Sequence, residues 1–76
     1  MTFEELIQLF AELGLDTNGL TRETGREEAG LDSLLLTELA LVLRKERGVP
    51  VEEEELYAAT TVGAIERLVA RASETV

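Results

Sequence analysis

Gly30-Leu31-Asp32-Ser33-Leu34-Leu35-Leu36-Thr37-Glu38-Leu39-Ala40 is the stretch that decides the fold. Asp32 is a strong helix N-cap, which places Ser33 at the first helical position. Leu36, Leu39, Ala40 and Leu43 recur at helical spacing and form the core stripe of a helix that Gly48 ends. Arg44, Lys45 and Arg47 fall in its last turn, where cations favour the negative end of the dipole. Leu34, Glu38, Leu41 and Lys45 share the opposite face, which mixes apolar and charged groups.

Upstream, Thr2 and Glu5 form a capping box, so the spacing predicts a first helix opening at Thr2. Phe3, Leu6, Ile7, Phe10 and Leu13 make its apolar stripe. Gly14 supplies the left-handed stop, and Leu15 is placed to pack back on the helix. From Asp16 to Leu31 the pattern breaks into a long polar connection punctuated by Asn18-Gly19, Gly25 and Gly30. Leu20 is its main apolar anchor, and Thr24 to Ala29 allows a short helical turn. A connection of this length in so small a domain points to functional or partly ordered use.

Downstream, Val49-Pro50-Val51 crosses in extended form, because proline drives its predecessor out of the helical region. Glu52 to Glu55 lead into a short third helix ending near Ala58, with Leu56 and Ala59 inward and Tyr57 half-buried. The acidic run suits the positive end of that helix and reads as a solvated helix start. Thr60 or Thr61 caps a fourth helix with the stripe Val62, Ile65, Leu68, Val69 and Ala72. The tail after Ser73 is expected to fray. The sequence thus predicts an all-α fold: one domain over residues 1–76, four helices, a long first loop and a short third helix.

Composition narrows the function. The chain has 76 residues, no cysteine and no histidine. Size scaling gives a folded surface of roughly 4,600 Å² against about 12,000 Å² unfolded, enough for one modest core. Thiolate chemistry, sulfur-bound metal and the usual imidazole base are excluded. Seven basic against sixteen acidic residues give a net charge of −9, which repels nucleic acid and anionic lipid. No apolar run approaches the roughly 20 residues of a membrane span. The chain opens directly on a helix signal, so the cytoplasm is the expected location. An EF-hand register starting at Asp16 fails at Leu20 and at Thr21, where glycine is required, so no calcium site is expected. The small apolar excess outside the stripes predicts a monomer.

Ser33 has two readings. Asp-Ser is a good helix start in any protein, but a hydroxyl beside free backbone N–H groups also welcomes a phosphate. With no histidine to activate it, Ser33 is a poor nucleophile of its own and suits modification by another enzyme. Gly30-Leu31-Asp32-Ser33-Leu34, followed by Glu38-Leu39, Leu43, Gly48-Val49, Glu55-Leu56 and Thr61-Val62, resembles the acyl and peptidyl carrier protein family across essentially the whole chain.

The resemblance implies a 4′-phosphopantetheine arm, donated from coenzyme A and joined to Ser33 by a phosphodiester, with Asp32 and Leu34 completing the motif. The arm's thiol would hold an acyl or aminoacyl group as a thioester, while partner enzymes supply the catalysis. The partners implied are a phosphopantetheinyl transferase and an acyltransferase, a ligase or adenylation enzyme, or a ketosynthase. Family resemblance also makes helix two and the loop before it the surface that partners read, here Leu34, Leu35, Glu38, Leu41 and Lys45. Leu35, Leu36 and the basic Arg44, Lys45 and Arg47 depart from fatty-acid-type carriers, which points to polyketide, nonribosomal peptide or hybrid antibiotic pathways. The reading from another class is an unmodified helical interaction module using the same helix-two face.

Overall fold

The computed structural model describes residues 1–74. Four helices follow in order: α1 (Phe3–Glu12), α2 (Ser33–Glu46), α3 (Glu53–Ala58) and α4 (Val62–Glu74). Each start is capped by a short-range bond. Thr2 Oγ1 accepts from the Glu5 amide while Glu5 Oε1 accepts from the Thr2 amide, at 3.2 and 2.9 Å. Asp32 Oδ1 accepts from the Leu35 amide at 2.9 Å. Glu55 Oε1 accepts from the Glu52 amide at 3.0 Å, so the acidic run serves its own helix start. Thr61, not Thr60, caps α4, taking the Ala64 amide at 3.1 Å.

The first helix ends as expected. Gly14 has φ +95°, its amide donates to Ala11 O and the Leu15 amide donates back to Phe10 O. These paired bonds satisfy carbonyls that the helix itself cannot. Leu15 then packs against the core. Helix α2 stops at Glu46 with Arg47 as its C-cap; Gly48 follows with φ +65°, and the Val49 amide donates to Leu43 O at 2.8 Å.

One hydrophobic cluster gathers all four helices. Leu36, Leu39, Ala40, Leu43, Leu56, Val62, Ile65 and Val69 are buried as the periodicity predicts. Five further residues join them that lie outside the expected stripes: Leu9, Ala29, Leu31, Val49 and Val51. Leu9 belongs because the contact stripe of α1 centres on Leu6, Leu9 and Phe10, leaving Phe3, Ile7 and Leu13 half-buried at its margins. Val49 and Val51 flank an exposed Pro50 and turn inward, and the Val51 amide donates to Val49 O at 2.9 Å, so the chain makes a tight turn about the proline where the sequence predicts an extended crossing. The total surface is 4576 Å², matching the size expectation.

The first connection is ordered rather than loose. Its main anchors are Ala29 and Leu31, both buried, while Leu20 is only partly so. Residues 26–30 make one short turn, in which the Ala29 amide donates to Gly25 O four residues back, as a single helical turn would. Residues 22–26 run antiparallel to residues 60–63. Gly63 donates to Arg22 O, Val62 to Thr24 O, and Arg26 to Thr60 O, at 2.8 to 2.9 Å. Above this strap the Arg22 guanidinium lies 4.4 Å from the Phe3 ring centroid and donates to both Glu66 oxygens, at 2.7 and 3.2 Å. The bond to Glu66 and then its charge push Arg22 above its ordinary pKa. The sequence predicts fraying after Ser73, yet Glu74 is still the last residue of α4, and the rest of that tail lies outside the described residues.

Candidate attachment site at the start of helix α2

The five residues from Gly30 to Leu34 divide their tasks cleanly. Gly30, at φ +88°, turns the chain where a side chain would be strained. A Cβ there would also come within 3.1 Å of Leu15 Cδ2. Leu31 is fully buried and anchors the approach. Asp32 caps α2 from an extended backbone, φ −82° and ψ −178°. Ser33 is then the first residue of α2 and is exposed, and Leu34 is 66% exposed.

The backbone around Ser33 is fixed by bonds that leave its hydroxyl out. Leu36 donates to Asp32 O at 2.9 Å, and Thr37 Oγ1 donates to Ser33 O at 3.0 Å. Among the described residues Ser33 Oγ makes no hydrogen bond, nor do the amides of Ser33 and Leu34. An exposed hydroxyl therefore projects beside two unsatisfied donors at the positive end of a 14-residue helix. A phosphodiester on this oxygen would bring its charge to the end of the helix that favours anions. The residues present fit a phosphopantetheine group.

Along α2 the exposed face is as the spacing predicts. Leu34 and Leu41 are 66% and 43% exposed, and Glu38 and Lys45 stand in the same row. Leu35 sits apart from it: one step from buried Leu36, it is half-buried and packs against the core. At the basic end, Arg44 reaches Glu52 only at 4.0 Å in an exposed pair, which contributes little. Sequence reasoning did not foresee the contact between Arg26, whose guanidinium lies 5.5 Å from the Tyr57 ring centroid, and α3. Tyr57 itself keeps 40% of its surface exposed. No local signal marks that pairing, since the two residues meet only through the tertiary fold.

The arrangement is a four-helix fold that presents an exposed serine hydroxyl at the start of α2. The family described as "Phosphopantetheine attachment site" matches residues 4–69. An acyl carrier protein from Saccharopolyspora erythraea is 41% identical over 68 residues, covering 87% of this chain and 72% of that protein. No solved structure matches the chain. The chain belongs to the phosphopantetheine-binding acyl carrier protein family. It is a non-catalytic carrier, its cofactor is 4′-phosphopantetheine, and carriers of this family work with phosphopantetheinyl transferases and pathway enzymes. No described helix is long and apolar enough to cross a membrane.

Proposed function

We propose that Ser33 carries the arm and that the chain, a single cytoplasmic monomer, serves polyketide, nonribosomal peptide or hybrid assembly. The observation that carries this reading is the exposed Ser33 hydroxyl, unbonded at the first position of α2 beside two free amides. In loading, Ser33 Oγ loses its proton and bonds to the phosphorus of coenzyme A that bears the pantetheine. The pyrophosphate bond breaks there, and adenosine 3′,5′-bisphosphate leaves. The chain holds no histidine or cysteine to take that proton, so the transferase supplies the base. When bound, the arm supplies a thiol that holds an acyl or aminoacyl group as a thioester.

Residues Asp32 and Leu34 frame the attachment, Asp32 by holding the helix start and Leu34 by offering an apolar contact beside it. Leu34, Glu38, Leu41 and Lys45 form the row that partner enzymes read, with Leu35 supporting it from the core side. These partners are the transferase and then an acyltransferase, a ligase or adenylation enzyme, or a ketosynthase. The Leu34-Leu35-Leu36 run and the basic end of α2 support a natural-product pathway over a fatty-acid one.

The test is loading of the apo chain with coenzyme A and a broad-specificity phosphopantetheinyl transferase, read by intact mass. Wild type is expected to gain one phosphopantetheinyl group, and Ser33→Ala none, with its thermal melting unchanged. A folded wild-type chain that gains nothing would favour an unmodified interaction module on the same face. Gain retained by Ser33→Ala would put the arm elsewhere.

A further inference from the structure

Carboxylates outnumber cations sixteen to seven in this chain, so no arginine lacks potential partners. Arg22 accordingly pairs with Glu66, Arg44 reaches Glu52, and Arg26 lies over Tyr57. Arg47, at the C-cap of α2, does neither, and the same holds for Arg67 and Arg71, which share a helix. Both are exposed, they stand one turn apart on α4, and among the described residues neither joins an ion pair or an aromatic ring.

These two arginines border a trough between α3 and α4. It has two adjoining lobes of about 320 and 330 Å³ that share Glu55, Leu68 and Arg71. Ala58, Ala59 and Ala64 line the first lobe, and Pro50 lies at the far end of the second. Short side chains along a groove leave room for another backbone to approach. Glu55, the one carboxylate on the lining, has an oxygen engaged by the Glu52 amide at the start of α3.

We infer that this trough is a docking site for an acidic peptide segment of a partner protein, with carboxylates one helical turn apart meeting Arg67 and Arg71. Charge complementarity selects the occupant. A guanidinium takes a carboxylate through paired hydrogen bonds, and residues four apart on each helix are about 5–6 Å from each other. The net charge of −9 opposes an acidic partner at long range. At about 0.15 M salt that repulsion is screened beyond about 8 Å, so the arginine pair decides at contact. The site is separate from Ser33 and does not depend on the arm.

The experiment is a titration of the isotope-labelled full chain, loaded and unloaded, with a capped alanine-rich peptide carrying two glutamates four residues apart. A peptide with glutamine at both places is the control. Amide shifts are expected at Ala58, Ala59, Ala64, Arg67, Leu68 and Arg71 in both forms, and weaker with the control. Binding is expected to fall about fivefold or more in Arg67→Gln/Arg71→Gln, whose melting should match wild type, and to return only in part in Arg67→Lys/Arg71→Lys, which keeps the charge but not the paired bonds. Equal response to both peptides, or shifts centred on α2, would overturn the proposal. The same shifts from inorganic phosphate alone would reduce the trough to a general anion site. Concentration-dependent dimers in sedimentation that are lost with the arginines would assign it to a second copy instead.

Discussion

The strap and the start of α2 treat polar groups in opposite ways. From Arg22 to Arg26 the backbone donates to and accepts from residues 60–63, and Arg22 spends its guanidinium on Glu66 and the Phe3 ring. Across Ser33 and Leu34 the side chains and amides are left open, though the turns on either side are firmly bonded. One region uses its polar groups to close the fold. The other keeps them available on a frame that is already closed. With the arm on Ser33 as proposed, the contrast explains how so small a chain would offer it a fixed base without building a cleft.

The largest effect comes from comparing leucines on one helix. Leu36→Ala removes a fully buried side chain and is expected to cost about 2–5 kcal/mol, enough to threaten the fold in denaturant melts. Leu34→Ala, on an exposed side chain, should change stability by no more than about 0.5 kcal/mol. It should instead slow reaction with partner enzymes. Similar losses at both positions would erase the distinction between frame and presenting face.

Gly63→Ala probes the strap. A Cβ there would meet Arg22 O at 2.9 Å and Arg22 Cβ at 3.1 Å, so the backbone contact must give. Overpacking of this kind costs about 1–3 kcal/mol, and amide exchange should quicken at Arg26 and Val62, which donate across the strap, while loading at Ser33 persists. Loss of loading in a folded Gly63→Ala chain would show that strap and site are one unit.

The smallest effect is at α1. The Thr2 amide and then the Thr2 hydroxyl hold the Glu5 carboxyl below its ordinary pKa. A lowered folded pKa contributes stability that is present above the ordinary carboxylate value and lost as pH falls through the folded one. Amide exchange at Thr2 should therefore quicken only in acid below the usual carboxylate range, and Glu5→Gln should remove that pH dependence.

Much of this contrast is legible in the sequence, because its open half is local. Asp32 as cap, Ser33 as first helical residue and the exposed row Leu34, Glu38, Leu41 and Lys45 all follow from spacing within one helix. The Thr2–Glu5 box and the Gly14 stop are local in the same sense. The closed half is not. Arg22 and Glu66 lie 44 positions apart, and the bonds between residues 22–26 and 60–63 answer to no period within either segment. Leu31, Val49 and Val51 are buried by how three segments converge, which their own neighbours do not encode. Leu35 shows the same limit on a finer scale, since one position along the helix separates the row from the core flank.

The most direct test of the account is an overlay of amide spectra from the chain before and after phosphopantetheine loading. The account predicts large shifts at Ser33, Leu34 and Leu35, and resonances for Arg22, Thr24, Arg26 and Gly63 that stay in place. Loading that leaves Ser33 and Leu34 unmoved, or that displaces the strap as strongly as the helix start, would contradict it.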